Sequence, residues 1–367
     1  MPPFTIPYRW QFPKMDRFGI AKIAQKKWFI RLTHKEFWAM WTHYLPAFFY
    51  YAFAALRERS LFFFTAANPT IPTGGMLGES KSDINKNIPP QYRPKNLMLF
   101  STENKEKWFE KVEKEKFPFP AIVKPVVGGR GLMVEKVNNF DELAAHATRF
   151  GVDFIVEEFV DLPVEAAVLY WKNPVTNTSG ILSVTLKEFL SVTGDGVSTV
   201  EQLLQQSFRG ILQIERLQRE KPDLMTQKPP FGASVLVEPV GNHCRGTMFL
   251  NGNDLINADM IAAFDGVHAD LGDVFFFRLD LKAPNIADLQ AARNLKILEI
   301  NGVGSEPAHI YDPNFPLVSA WRDTLKLWRK IHEVSAANHR LGVAYQSRKE
   351  FMQFVKTQDA FVEAGKK

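Results

Sequence analysis

The chain carries a single cysteine, Cys244, among 367 residues. That excludes an intramolecular disulfide and any multi-cysteine metal site, and it points to an intracellular, cytoplasmic setting. Residues 1–27 are polar with interspersed prolines, so they lack the apolar run and cleavage site of a secretory leader. Internal repeats are absent. So are a Walker loop and a dinucleotide fingerprint. Net charge is +5, with many cations in the first hundred residues, such as Lys22, Lys26, Arg31, Arg57 and Lys95. A mild excess of this kind fits nucleotide, polyanion or anionic-membrane contact. No basic motif interleaved with stacking aromatics accompanies it, so nucleic acid is not an expected partner.

What remains is a chain with 46% hydrophobic and 23% charged residues. That suffices for a large core and two or three subdomains. Strand patterns alternate with helix patterns, which indicates an α/β or α+β enzyme. Residues 61–65 read as a short buried strand, 102–116 as a helix capped by Ser101 or Thr102, and 119–125 and 132–137 as strands. Residues 141–150 read as a helix, 154–160 and 165–170 as strands, and 181–192 as further strand. Ser198 is placed to cap a helix near 200–206. Residues 258–272 and 321–337 complete the helical pattern. Residues 1–94 form an aromatic-rich N-terminal region, 95–335 the main body in two parts (95–160 and 161–335), and 336–367 a helical tail.

Residues 37–56 carry no formal charge and are flanked by basic residues. Their length allows a membrane span. Thr42, His43, Pro46 and the tyrosines dilute them, and their aromatics fill the middle rather than the ends. Helices docked on the protein, an interfacial helix giving peripheral membrane contact and a true span are the three readings. Docking against residues 61–65 is the expectation, since Pro46 divides the segment.

The chemistry concentrates in two short patterns, Arg278-Leu279-Asp280 and Glu299-Ile300-Asn301. In a strand, residues i and i+2 share a face, so each pair projects together. Alternating charge on an ordinary strand marks a solvated face. Here the flanking residues, 274–277 and 295–298, are strongly apolar, so these acids need partners. Asp280, Glu299 and Asn301 are hard oxygen donors suited to Mg²⁺. Arg278 can offset charge on a transferring phosphoryl group.

A glycine-rich turn at 126–131 separates two strand patterns. Gly128, Gly129 and Gly131 permit close backbone approach to phosphates, although a tight hairpin needs the same residues. Lys124 precedes them on an apolar strand, where a phosphate is one partner and solvent the other. Glu157, Glu158 and Glu165 flank a turn at 161–163 and can serve adenine and ribose, or form a solvated hinge.

In this order, these motifs resemble the ATP-grasp ligases, over roughly residues 95–330. They look most like D-alanine–D-alanine ligase and the ATP-grasp part of cyanophycin synthetase. The resemblance implies an ATP-grasp fold of two α+β subdomains behind the helical N-terminal region. It also implies an ATP- and Mg²⁺-dependent ligase, Mn²⁺ being an alternative ion, that joins a small carboxylate to an amine through an acylphosphate. By the same resemblance Lys124 contacts phosphates and Gly128, Gly129 and Gly131 form a lid over them. Glu157 meets the adenine amino group, the Val160 backbone a ring nitrogen, and Glu165 the ribose. Glu158 belongs to that hinge, and Lys187 approaches the phosphates. Asp280, Glu299 and Asn301 hold the metal, and Arg278 steadies the γ-phosphoryl group. Arg245, Ser305 and His309 are candidates for the substrate wall, and Cys244 is structural or substrate-side. The hinge turn lacks the family's usual glycine, and residues 302–309 depart from its carboxylate-binding loop. The alternatives are a membrane-associated ligase acting on a lipid or envelope component, and an ATP-binding regulatory protein without turnover.

Overall fold

The computed structural model describes residues 25–77, 88–126 and 133–364, the side chains of 357–364 excepted. Gly128, Gly129 and Gly131 lie outside the described residues. The chain parts into two compact units. Residues 40–187 with 249–367 make the larger unit, and residues 1–39 with 188–248 the smaller.

The larger unit holds two antiparallel sheets, the mixed α+β architecture expected from the sequence. In chain order its strands are β1 (Asn96–Leu99), β2 (Ala121–Pro125), β3 (Glu135–Val137), β4 (Phe154–Glu158), β5 (Val164–Lys172) and β6 (Ser179–Glu188). After β7 (Ser191–Thr193) and β8 (Ser234–Leu236) of the smaller unit come β9 (Met248–Asn251), β10 (Phe276–Ala283) and β11 (Lys296–Asn301). The first sheet has the order β1-β4-β2-β3. It packs on the helices Lys105–Lys114 and Phe140–Phe150 through Trp108, Val112, Leu143, Val123 and Val156. Asn104 caps the first of these helices through the backbone N–H of Lys107. The start is therefore later than the expected Ser101 or Thr102, both of which lie outside it.

The second sheet runs β11-β10-β5-β6-β9. One face is apolar throughout: Val168, Tyr170, Val184, Phe277, Leu279 and Leu281 pack with Met260, Phe264 and Val267 of the helix Ala258–Leu271. The opposite face changes character along its length. At one end Leu169, Trp171, Leu182 and Phe276 share a core with residues of the helices Leu45–Arg57 and Leu317–Arg340. At the other end, two and four positions further along β10 and β5, it becomes polar.

Residues 61–65 are not a strand. They turn into a 3-10 helix, Phe63–Ala67, buried beneath the Leu317–Arg340 helix. The Ser335 hydroxyl donates to the Phe63 carbonyl, and Asn338 Nδ2 donates to the carbonyls of Ala66 and Ala67 at 2.9 and 3.2 Å. Helix side chains thus satisfy backbone groups that a sheet would otherwise have to pair. The Leu45–Arg57 helix begins with Pro46 in its first turn, where a missing N–H costs nothing. Its inward side bears Ala47, Ala54 and Ala55, while Tyr51 stacks edgewise on Trp328 at 5.1 Å.

The smaller unit pairs β7 with β8 and adds the helices Val200–Leu204, Phe208–Glu220 and Pro222–Thr226. Thr199, not Ser198, caps the first of them, with Gln202 closing a capping box. Ser198 instead bonds Asp195. No helix among the described residues is long and apolar enough to cross a membrane.

Candidate active site

The polar end of the second sheet gathers the charged residues. In the β10–β11 ladder Arg278 pairs with Asn301 and Asp280 with Glu299. Cross-strand partners share a face, so all four side chains project together. A bulge follows between Asp280 and Leu281. On the other side β10 pairs Asp280 with Ala167 and Lys282 with Glu165 of β5. The small Ala167 leaves room over Asp280. Lys187, at the end of β6, reaches Glu165 Oε1 at 3.1 Å and Asp280 Oδ1 at 3.8 Å. Lys282 lies 3.7 Å from Glu165 Oε2.

This is a tightly coupled group of buried charges. Arg278 Nη2 donates to Asp280 Oδ2 at 3.1 Å, and its Nη1 to the Glu306 carbonyl at 3.4 Å. Burial pushes the Asp280 carboxyl up, but the charges of Arg278 and Lys187 outweigh it and hold the carboxyl below the usual range. Lys187 is the mirror case. Burial pulls it down, and the Asp280 and Glu165 carboxylates more than restore it. For Lys282 burial wins, and its ammonium titrates lower than a free lysine despite Glu165.

Three buried polar atoms in this group make no hydrogen bond: Asp280 Oδ1, which has only the Lys187 ammonium at 3.8 Å, and the N–H donors Arg278 Nε and Asn301 Nδ2. Buried polar groups are ordinarily satisfied, so such atoms clustered on one sheet face mark a place for a polar ligand. Two carboxylates and an amide there fit a hard divalent cation by donor chemistry.

Lys124 adds a link from the first sheet. Glu157 pairs with Ile122, two residues before Lys124, so the lysine and the glutamate share a face. Their ion pair is 2.8 Å, and both side chains are buried. Lys124 Nζ also donates to the carbonyl of Leu298, the residue before Glu299, at 3.3 Å. The amine is thereby anchored one residue from Glu299. Val160 and Glu165 are buried, and the Glu158 N–H donates to the Lys95 carbonyl at 2.9 Å.

The substrate-wall candidates are placed less uniformly. The Ser305 hydroxyl donates to the Gly302 carbonyl at 2.5 Å. His309 is wholly buried, with Nδ1 2.7 Å from Ser183 Oγ and Nε2 3.1 Å from Asp323 Oδ2. Arg245 belongs to the smaller unit, where Nε donates to the buried Glu238 at 3.0 Å and Nη2 lies 3.4 Å from Glu220. Cys244 beside it is exposed.

Residues absent from the sequence reading also line the group. Lys282 continues the alternation of Arg278 and Asp280 by two positions, a signal present in the sequence. Glu306 accepts from the Tyr311 hydroxyl at both oxygens, 3.0 and 3.1 Å. Tyr44 is buried beside it. Burial first, and the Glu306 carboxylate second, lift its phenol well above the usual range. Nothing local in the aromatic run distinguishes Tyr44 from its neighbours, so its place beside Glu306 depends on the fold.

No protein-family model matches the chain, and no curated protein matches it. Solved structures similar to it include D-alanine–D-alanine ligase from Bacillus anthracis, at 15% identity and TM-score 0.43, covering 74% of this chain and 71% of that one. The VanG D-Ala:D-Ser ligase from Enterococcus faecalis has 13% identity and TM-score 0.40, covering 71% and 63%. A bifunctional glutathione synthetase from Pasteurella multocida has 18% identity and TM-score 0.31, covering 60% of this chain. The chain spans 32% of that synthetase's length. Likenesses this slight carry no activity over to this chain.

Proposed function

We propose that the chain is an ATP-grasp ligase that joins a small carboxylate to an amine. The observation that carries this is the single polar row Arg278, Asp280, Glu299 and Asn301, with orphaned buried atoms on three of its members. Asp280, Glu299 and Asn301 would hold Mg²⁺, or Mn²⁺, which when bound supplies positive charge against phosphate oxygens.

The chain's own residues supply the rest. Arg278 and Lys187 face the same carboxylate, Asp280, so they are held where phosphate charge would arrive. Lys124 is held by Glu157. A bound polyphosphate would replace that carboxylate as its partner and release Glu157 toward the adenine amino group. Val160 would present its backbone to the ring, Glu165 would meet the ribose, and Glu158 would complete the hinge. Gly128, Gly129 and Gly131 would cover the phosphates. Ser305 and His309 would shape the carboxylate side.

The reaction would run in two balanced steps. A substrate carboxylate oxygen attacks the γ-phosphorus of ATP and ADP leaves, giving an acylphosphate. The amine then attacks the acyl carbon, loses a proton and expels phosphate. No covalent enzyme nucleophile is required, so positioning and charge do the catalysis.

Calorimetric titration with a non-hydrolysable ATP analogue and Mg²⁺ tests the nucleotide half. We expect saturable binding that requires the metal and is weakened at least about tenfold by Lys124→Ala. A folded chain that binds no nucleotide would sink the reading.

A further inference from the structure

The Leu45–Arg57 helix is inverted relative to an ordinary surface helix. Its small residues face in: Ala47, Ala54 and Ala55 are buried. Its large apolar residues face out. Leu45, Phe48, Phe49, Phe53 and Leu56 form one outer stripe, with Phe49 78% and Leu56 80% exposed; Trp41, in the short helix Met40–His43 before it, is also exposed. These positions follow helical spacing, so the stripe is a property of the helix, not scattered exposure. Soluble surfaces rarely leave so large an apolar patch open.

The surroundings of the stripe indicate its partner. No charged residue occurs from 37 to 56. Tyr50, one turn from Phe53 and 5.9 Å from its ring, opens into a cleft of about 340 Å³. Three arginines line that cleft: Arg57 from the same helix, and Arg329 and Arg340 from the Leu317–Arg340 helix. Its two acids are mostly engaged elsewhere. Glu58 accepts from His332 and Tyr345, both at 2.8 Å, and lies 4.0 Å from Arg57; Glu333 pairs with Lys330 at 2.7 Å and accepts from Asn173 at 3.3 Å, so Arg329 and Arg340 pair with neither acid. The cleft therefore presents guanidinium groups along the flank of an aromatic stripe. Arg322 and Lys326 stand exposed on the same long helix.

We propose that this surface docks on a bilayer containing anionic phospholipids. The stripe would enter the headgroup–acyl boundary, and the Arg57, Arg329 and Arg340 cleft would take a phosphate headgroup. The helix is roughly 20 Å long at 1.5 Å per residue. That is too short for a hydrocarbon core of about 30 Å, so it lies in the interface plane. This inference is independent of the ligase chemistry.

Flotation of the full chain with vesicles tests it, using phosphatidylcholine alone and phosphatidylcholine with phosphatidylglycerol, at low and physiological salt. We expect co-flotation with the anionic vesicles, reduced by salt. The double variant Phe49→Glu/Phe53→Glu removes two largely exposed rings and one 5.9 Å ring contact, Phe53 with Tyr50, so it should move the thermal midpoint little yet lose vesicle binding at least about tenfold. Arg329→Glu/Arg340→Glu should retain weak binding but lose the preference for phosphatidylglycerol. Three results would overturn the proposal. The wild-type chain could stay unbound with both lipids. It could bind only after removal of residues 1–24, which would make that segment the natural cover. Or sedimentation could reveal a dimer that Phe49→Glu/Phe53→Glu dissociates, which would make a second copy the occupant.

Discussion

Asp280 stands directly across the β10–β11 ladder from Glu299, one step before a bulge ends the regular pairing. Two carboxylates placed opposite each other repel unless cations intervene. Arg278 and Lys187 supply such charge to Asp280 at 3.1 and 3.8 Å. Glu299→Gln keeps shape and hydrogen-bonding capacity while removing one charge. We expect the fold to persist by circular dichroism and turnover to fall at least about a hundredfold, the scale of losing ~3 kcal/mol of transition-state stabilisation. Near-normal turnover in the folded variant removes Glu299 from the metal set.

Lys124 and Arg278 should separate ground-state binding from chemistry. Lys124 is in place before any reaction, so Lys124→Ala should raise the KM for ATP. It also removes the cation 2.8 Å from the buried Glu157 carboxylate, and urea unfolding should show a loss on the order of 3 kcal/mol. Arg278→Ala should act chiefly on kcat, because it opposes charge that develops later. Equal effects of the two variants on KM alone, with kcat unchanged in both, would contradict these roles.

Gly304 sets the loop that follows β11. Its N–H donates to the Gly75 carbonyl at 2.8 Å, and the Val303 N–H donates to the Gly74 carbonyl at 3.1 Å. A Cβ on Gly304 would meet the Met76 carbonyl oxygen at 2.6 Å, a backbone atom that cannot swing aside. Gly304→Ala should lower stability by about 1–3 kcal/mol, as overpacking does. Differential scanning calorimetry reads the change. An unshifted midpoint would mean that the turn at 73–76 yields freely.

His268 makes the fold acid-sensitive. Burial pulls its imidazole from 6.5 down to about 4, aided by Lys172 and opposed by Asp265 and Asp273. The folded value is depressed, so the contribution is fully present above pH 6.5 and is lost as pH falls from 6.5 toward 4. One proton accounts for at most about 1.4 kcal/mol per pH unit in that window. His268→Phe keeps a ring packed against Tyr170, Phe275 and Phe277 without the titration. Urea unfolding at pH 7 and pH 5 should show a smaller drop for this variant than for wild type. Parallel drops would assign the acid sensitivity elsewhere.

That Arg278 shares a face with Asp280, and Glu299 with Asn301, was legible from alternation alone, because strand period fixes it without knowledge of neighbours; that all four share one face depends on the register of the ladder. The apolar flanks marked both strands as buried; that they pair with each other is a property of the ladder. Residues 61–65 were misread because a run of three phenylalanines suits a buried strand and a buried short helix alike. The choice was made by Ser335 and Asn338, more than two hundred residues away in the chain, which satisfy its carbonyls. The caps shifted for a local reason. Asn104 and Thr199 each offer an oxygen at the correct distance from the first helical turn, and several polar residues nearby compete for that role. The Tyr44–Glu306–Tyr311 group has no sequence signature, since it joins residues from three separate segments.

The central claim is that this chain consumes ATP to join a carboxylate to an amine. Incubating it with Mg²⁺-ATP and pools of amino acids and dipeptides, and measuring nucleotide products alongside phosphate, tests that directly. The account predicts ADP and phosphate formed only when both substrate classes are present, matched one for one by a new amide, and abolished by Glu299→Gln. AMP and pyrophosphate as products, or a nucleotide-bound chain that forms no amide from any pool, would contradict it.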